Sequence, residues 1–133
     1  MTFFQVFNMV LVLVIIGIGL YHLYFYIQRK RAAEWIEADK FQETMRSAQV
    51  IDVREKQEFN QGHIMGARSV PYSLARAQKE YLNAIRKDMP VYLYDNKKII
   101  SINMALLLKK NGYKDVYILK GGYSGWTGKI KKK

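Results

Sequence analysis

The chain contains no cysteine. Disulfides, thiolate metal sites and every reaction that runs through a thiol nucleophile are therefore excluded, and the absence suits a reducing compartment without requiring one. Charge is missing from a second place: residues 1–28 carry no Asp, Glu, Lys or Arg. Proline is scarce, with only Pro71 and Pro90, so few points break the chain by that means. Acidic side chains are outnumbered, 11 Asp and Glu against 22 Lys and Arg, for a formal net charge of +11. There is no internal repeat and no low-complexity stretch beyond the closing lysines. A length of 133 residues leaves room for one small domain and one appendage.

The appendage comes first. Residues 3–27 are almost wholly apolar, and at about 1.5 Å per residue such a helix crosses a hydrocarbon core of roughly 30 Å. The segment 1–28 is expected to be a transmembrane helix. It opens on Thr2-Phe3-Phe4 and closes in bulky aromatics, whereas a cleaved signal needs a basic start, a shorter apolar core and small residues at the cut. Arg29, Lys30 and Arg31 come directly after the span and only the terminal amine precedes it, so the positive-inside rule places the remainder in the cytoplasm. The expected localisation is the cell membrane, single-pass, with the C-terminal domain cytoplasmic. Tyr21, Tyr24, Phe25 and Tyr26 fall where amphipathic rings anchor at the headgroups, and His22 close by is read as snorkelling rather than functional. Gly17 and Gly19 are too close together for a Gly-x-x-x-Gly packing face.

Beyond the span, residues 29–38 are expected to form a basic linker continuing as helix. Asp39 reads as the cap of a short helix carrying Phe41 and Met45, with Gln42 three places on as in a capping box. The apolar run 50–53 suits a strand buried on both faces of a parallel sheet. A helical turn over 55–60 is broken by Gly62, and a strand over 67–70 stops at Pro71. Ser73 then reads as the cap of a helix with Leu74, Ala77, Tyr81, Leu82 and Ile85 on one face. Strand 91–94 comes after Pro90, a helix ends at Asn111-Gly112 with Lys109 and Lys110 at its negative end, and 116–119 is the last strand. This alternation argues for an α/β fold, a parallel sheet with helices on both faces. The expected domain runs over 39–128, and 129–133 is a lysine-rich tail.

Two motifs stand out. Asp52-Val53-Arg54-Glu55-Lys56-Gln57-Glu58-Phe59 leads into Gly62-His63-Ile64-Met65-Gly66-Ala67, and Gly121-Gly122 precedes Trp126 by three intervening residues. Together they resemble the rhodanese (sulfurtransferase-like) family, over about residues 39–128. Within it the chain resembles a bacterial single-span, membrane-anchored rhodanese-domain protein that lacks the active-site cysteine. The resemblance implies that Asp52, Arg54, Glu58 and His63 hold loops together rather than catalyse, as charged groups at the ends of buried strands must be paired. His63 has no partner spaced for a metal site. Gly121 and Gly122 allow a tight turn into the last helix, and Trp126 is expected in the core or, near the loop mouth, as the lining of a pocket.

Active members of the family resemble Cys-Arg-Ser-Gly-x-Arg-Ser at the place where this chain has Asp95, Asn96, Lys97, Lys98, Ile99, Ile100 and Ser101. Aligning on Ser101 sets Asp95 at the nucleophile, Lys98 at the glycine and Ile100 at the arginine. The thiolate, the residue that lets amides curl round an anion, and the fork-shaped donor are all replaced. Asp95 precedes a helix, so its carboxylate can supply the negative charge that the helix N-terminus and loop amides favour, filling the site from within.

The leading expectation is thus a membrane-anchored, catalytically inactive binding or regulatory module with a protein partner, needing neither cofactor nor metal. The alternatives are a sulfurtransferase-related or carboxylate-nucleophile enzyme using the Asp95 loop, and a lipid-surface protein whose lysine tail, rather than its pocket, matters most. Membrane lipid is expected as a partner through residues 3–27 and the basic flanks, at about 1 kcal/mol for each charge near the surface. Nucleic acid is not, because scattered lysines without interleaved aromatics form no groove for it.

Overall fold

The structure, a computed structural model, describes residues 2–132, with the backbone alone over 28–32. Met1, Lys133 and the side chains of Arg29, Lys30 and Arg31 lie outside the described residues. The chain divides into two compact units, Met1–Arg31 and Ala32–Lys133. Helix α1 (Phe3–Ala32) accounts for the first. Within it Phe3–Ile27 has a mean hydropathy of 2.5 and no buried residue, which is long and apolar enough to cross a membrane. A signal sequence near the N-terminus shares those properties.

The second unit is built on five parallel strands in the order β1 (Glu34–Ile36), β6 (Val116–Leu119), β5 (Val91–Tyr94), β2 (Gln49–Asp52) and β4 (Arg68–Ser69). Because successive strand residues point to opposite faces, Ile51, Leu93 and Ile118 join Met104, Ala105 and Leu108 of α5 (Ile99–Lys110) and Ala75 of α4 (Tyr72–Ala77) in one core. Val50, Tyr92, Tyr94 and Leu119 point the other way, onto Phe41 of α2 (Ala38–Thr44) and Ile64 of β3 (His63–Ile64). Both faces are covered, so β5 and β6 read as unbroken apolar runs and β2 as a short one that ends in Asp52. The expected α/β architecture is present. A 3-10 turn, Met45–Ser47, comes after α2, and α3 (Lys56–Gln61) lies between β2 and β3.

Several local expectations are corrected. The linker expected over 29–38 contains β1, which pairs Trp35 with Ile118, so the sheet begins before residue 39. As an edge strand β1 has a neighbour on one side alone, and its charged flanks hid it. The lysine-rich tail is not free: Ile130–Lys131 forms β7, antiparallel to β3. The helix expected from Ser73 splits, because Gln78 is extended (φ −138°, ψ 111°) and leads into a 3-10 segment, Lys79–Ala84. Leu82 and Ile85 are buried, but Leu74 and Tyr81 are exposed. Ser73 donates to Glu55 Oε1 rather than capping. Asp39 lies inside α2, which starts after Glu37, and accepts from the Lys40 amide.

Candidate functional site

In a parallel sheet the carboxyl ends of the strands share one edge, and the loops that leave them gather there. β2 ends in Asp52, fully buried, and two residues on comes Arg54, 4% exposed. Arg54 Nη2 donates to Asp52 Oδ2 at 2.8 Å and Nε to Oδ1 at 3.0 Å, a fork on a carboxylate. Burial works against the charge of the guanidinium, but the hydrogen bonds and charge of Asp52 outweigh it and hold Arg54 above its ordinary pKa. Arg54 also donates to the Gly62 carbonyl at 2.7 Å and to Asn96 Oδ1 at 3.2 Å, while Asn96 Nδ2 donates to Glu58 Oε2 at 2.6 Å. Its guanidinium lies 4.3 Å from the centre of the Tyr123 ring.

The structure thus brings Asp52, Arg54 and Glu58 together around Asn96, and binds the end of β2 to the loop after β5. Every strong donor in the group already has an acceptor, which leaves a brace rather than a free acid or base. His63 stands outside this network. Its ring stacks on Phe59 with centroids 3.7 Å apart, and Nδ1 lies 2.8 Å from the Phe59 carbonyl. Among the described residues no three His, Asp or Glu side chains gather as a metal would need.

β5 runs directly into Asp95, which is 4% exposed. Its Oδ1 accepts from Ser101 Oγ at 2.7 Å, and its Oδ2 accepts from the Ile100 amide at 3.2 Å, in the first turn of α5. The carboxylate therefore sits where the helix offers unpaired N–H groups. Lys98 has φ −161° and ψ −27°, and among the described residues no non-glycine has a positive φ. Ile99 is 67% exposed, and Lys97, Lys98 and Ile100 are exposed beside it.

The backbone of the loop is held by the glycine turn. Tyr123 N–H donates to the Asp95 carbonyl at 2.7 Å, and Ser124 N–H to the Asn96 carbonyl at 3.2 Å. Gly121 and Gly122 adopt φ values of 85° and 61°. A Cβ on Gly122 would lie 2.6 Å from the Asn96 carbonyl oxygen and 2.7 Å from those of Asp95 and Lys97, so only glycine lets the two segments meet. The glycines lead into a single 3-10 turn, Tyr123–Gly125, rather than the full helix expected there.

Trp126 packs its ring against Phe41 with centroids 5.6 Å apart. It lines a groove with Met45, Met65 and Lys129. A different cleft, of about 580 Å³, opens at the loop itself between Trp35, Lys97, Lys98, Lys120 and Gly121. Trp35 and Lys120 carried no functional signal in the sequence, since their neighbourhood depends on the pairing of β1 with β6.

Residues 32–129 match the Rhodanese-like domain family. The chain is 40% identical over 126 residues to the uncharacterized protein YqhL of Bacillus subtilis, covering 95% of this chain and 98% of that one. It is 35% identical over 82 residues to the thiosulfate sulfurtransferase GlpE of Shewanella oneidensis, covering 61% and 77% of the two chains. The rhodanese-like domain of the Anabaena sp. Alr3790 protein shares the fold, with a TM-score of 0.66 at 24% identity over 74% of this chain and 79% of that one. A sheet braced by Asp52 and Arg54, a glycine turn locked onto the loop after β5 and a match over nearly all of the second unit place this chain in the rhodanese-like domain family.

Proposed function

We propose that the chain is a membrane-anchored, catalytically inactive rhodanese-like protein whose folded unit serves at the cytoplasmic face as a binding or regulatory module. The observation that carries this reading is Asp95. Where active relatives are expected to hold a cysteine, this chain holds a buried carboxylate that is hydrogen-bonded to Ser101 and the Ile100 amide. A persulfide needs a thiolate, and no side chain in the sequence supplies one. Use of Asp95 as a nucleophile is disfavoured as well, because both oxygens are engaged and, among the described residues, no acid or base bonds to them. Anchoring is supported by the apolar stretch Phe3–Ile27 and by the basic triplet directly after it.

The purified full chain, given thiosulfate and cyanide beside the Shewanella GlpE, should form no thiocyanate above background. A reporter that works only in the cytoplasm should be active when fused after Lys133. Turnover in the first assay, or activity of an exported reporter in the same position, would overturn the corresponding half of the reading. Crosslinking in native membranes identifies the protein partner that a non-catalytic module requires.

A further inference from the structure

We propose that the 95–101 loop, with its catalytic residues replaced, has become part of a docking site for an anionic lipid surface, in which Trp35 and Ile99 enter the headgroup zone while Lys97, Lys98 and Lys120 meet lipid phosphates. The inference rests on the membrane-anchored reading of the chain. Three observations meet at this place. The cleft of about 580 Å³ is lined by one tryptophan, three lysines and Gly121. Large apolar side chains stand exposed at and beside it, Ile99 at 67%, Trp35 at 41% and Ile100 at 38%. Lastly, the cations are available. Among the described residues neither Lys97 nor Lys98 has an acidic partner, and Lys120 pairs only with Glu37, at 3.1 Å with both side chains about two-thirds exposed. Such an exposed pair is worth little and yields readily to a phosphate.

The combination suits a bilayer surface better than a small free anion. Exposed aliphatic side chains gain nothing from a dissolved phosphate, whereas an interface takes up both the apolar side chains and the aromatic amphipath, with lysines reaching the phosphates around them. The chain also brings the surface close. Trp35 stands eight residues after Ile27, the last residue of the apolar stretch, a reach of at most about 28 Å when fully extended. Docking is then an intramolecular event at high effective concentration. At about a fivefold change in partition for each lysine near an anionic leaflet, the three lysines together are worth on the order of a hundredfold.

The test uses the full chain reconstituted into vesicles, with Trp126→Phe so that Trp35 is the sole tryptophan and a ring is kept against Phe41. In phosphatidylglycerol vesicles with brominated acyl chains, Trp35 emission should be quenched; in phosphatidylcholine brominated in the same way it should not, and high salt should relieve the quenching. Reversing Lys97, Lys98 and Lys120 to Glu should lower the docked fraction to the phosphatidylcholine level. Reversing Lys109 and Lys110 at the far end of α5 and Lys114 just past it, with the same change in net charge, should leave it intact. Since the chain has no cysteine, an environment-sensitive dye on Ile99→Cys gives an independent reading that keeps both tryptophans. Equal quenching in the two lipids would mean that the tether alone holds Trp35 at the surface and would overturn the site, as would loss of quenching with the distal reversal. A chain that resists alkaline extraction while Trp35 stays unquenched also overturns it and leaves anchoring intact. A chain released by alkali instead contradicts the anchored reading itself.

Discussion

Replacing Arg54 by Met removes the cation from a fully buried carboxylate and keeps most of the apolar volume. Asp52 would lose the contacts at 2.8 and 3.0 Å, retaining the 2.9 Å bond from the backbone amide of residue 54, and Gly62 O and Asn96 Oδ1 would lose donors. Removing one partner of a buried ion pair typically costs about 3–5 kcal/mol, since the remaining charge stays desolvated. For a unit of this size that is a melting shift on the order of 20 °C, and a large share of a total stability of about 5–15 kcal/mol. Pairing Arg54→Met with Asp52→Asn removes the stranded charge, so the double variant should be more stable than Arg54→Met alone. Urea unfolding of the chain truncated before residue 29, monitored by circular dichroism, measures all four corners of the cycle. A loss below about 1 kcal/mol for Arg54→Met would refute the brace, because that is the range of exposed pairs.

The geometry sets three further outcomes. The truncated chain itself should unfold cooperatively, because Ala32–Lys133 holds both cores; a broad, non-cooperative transition by urea would show that the first unit contributes to them. Gly122→Ala should cost roughly 3 kcal/mol or more, combining strain with the clash against three loop carbonyls, whereas Gly121→Ala, with nothing within 4 Å of its Cβ, should cost about 1–2 kcal/mol for its positive φ alone; equal melting shifts would sink the loop contact. Stability should be level from neutral pH to about 10 and then fall: burial, and then the Asp52 charge, raise the Tyr94 pKa above its unfolded value of 10.0, and burial raises that of Tyr113. A raised folded pKa favours the native state fully below the unfolded value and loses that contribution as pH climbs through the folded one, at up to about 1.4 kcal/mol per pH unit for each group. A denaturation midpoint unchanged between pH 9 and 12 would contradict this.

The parts of the fold that were legible in the sequence are those whose cause is local. Strands β2, β5 and β6 are buried on both faces and appear as apolar runs, and the turn at Asn111-Gly112 carries its own glycine, at φ 94°. The position of Asp95 just before a helix was legible too, and its bonds to Ser101 and the Ile100 amide place it at the first turn of α5. The elements that escaped depend on distant partners. β1 and β7 exist because β6 and β3 offer free edges to short segments that look like linker and tail. The extended Gln78 interrupts a stretch whose apolar spacing reads as one helix. Asn96 joins Arg54 to Glu58 across some forty positions of sequence, and no spacing rule reports that.

The most direct measurement is thiosulfate–cyanide sulfurtransfer by Asp95→Cys, beside the Shewanella GlpE. The new thiol would stand at the N-terminal end of α5, which lowers a thiol pKa and favours alkylation. Turnover needs the donor anion held as well, and the loop has Lys98, at a negative φ of −161°, where glycine would curl the amides and Ile100 where arginine would grip the oxyanion. Lys97 and Lys98 are mobile point charges and position an anion poorly. Asp95→Cys should therefore react with iodoacetamide yet form no thiocyanate above background, with activity rising only when Lys98→Gly and Ile100→Arg are added. Turnover by Asp95→Cys alone at a rate near that of GlpE would contradict this, and would mean that the loop remains competent and lacks nothing but the sulfur.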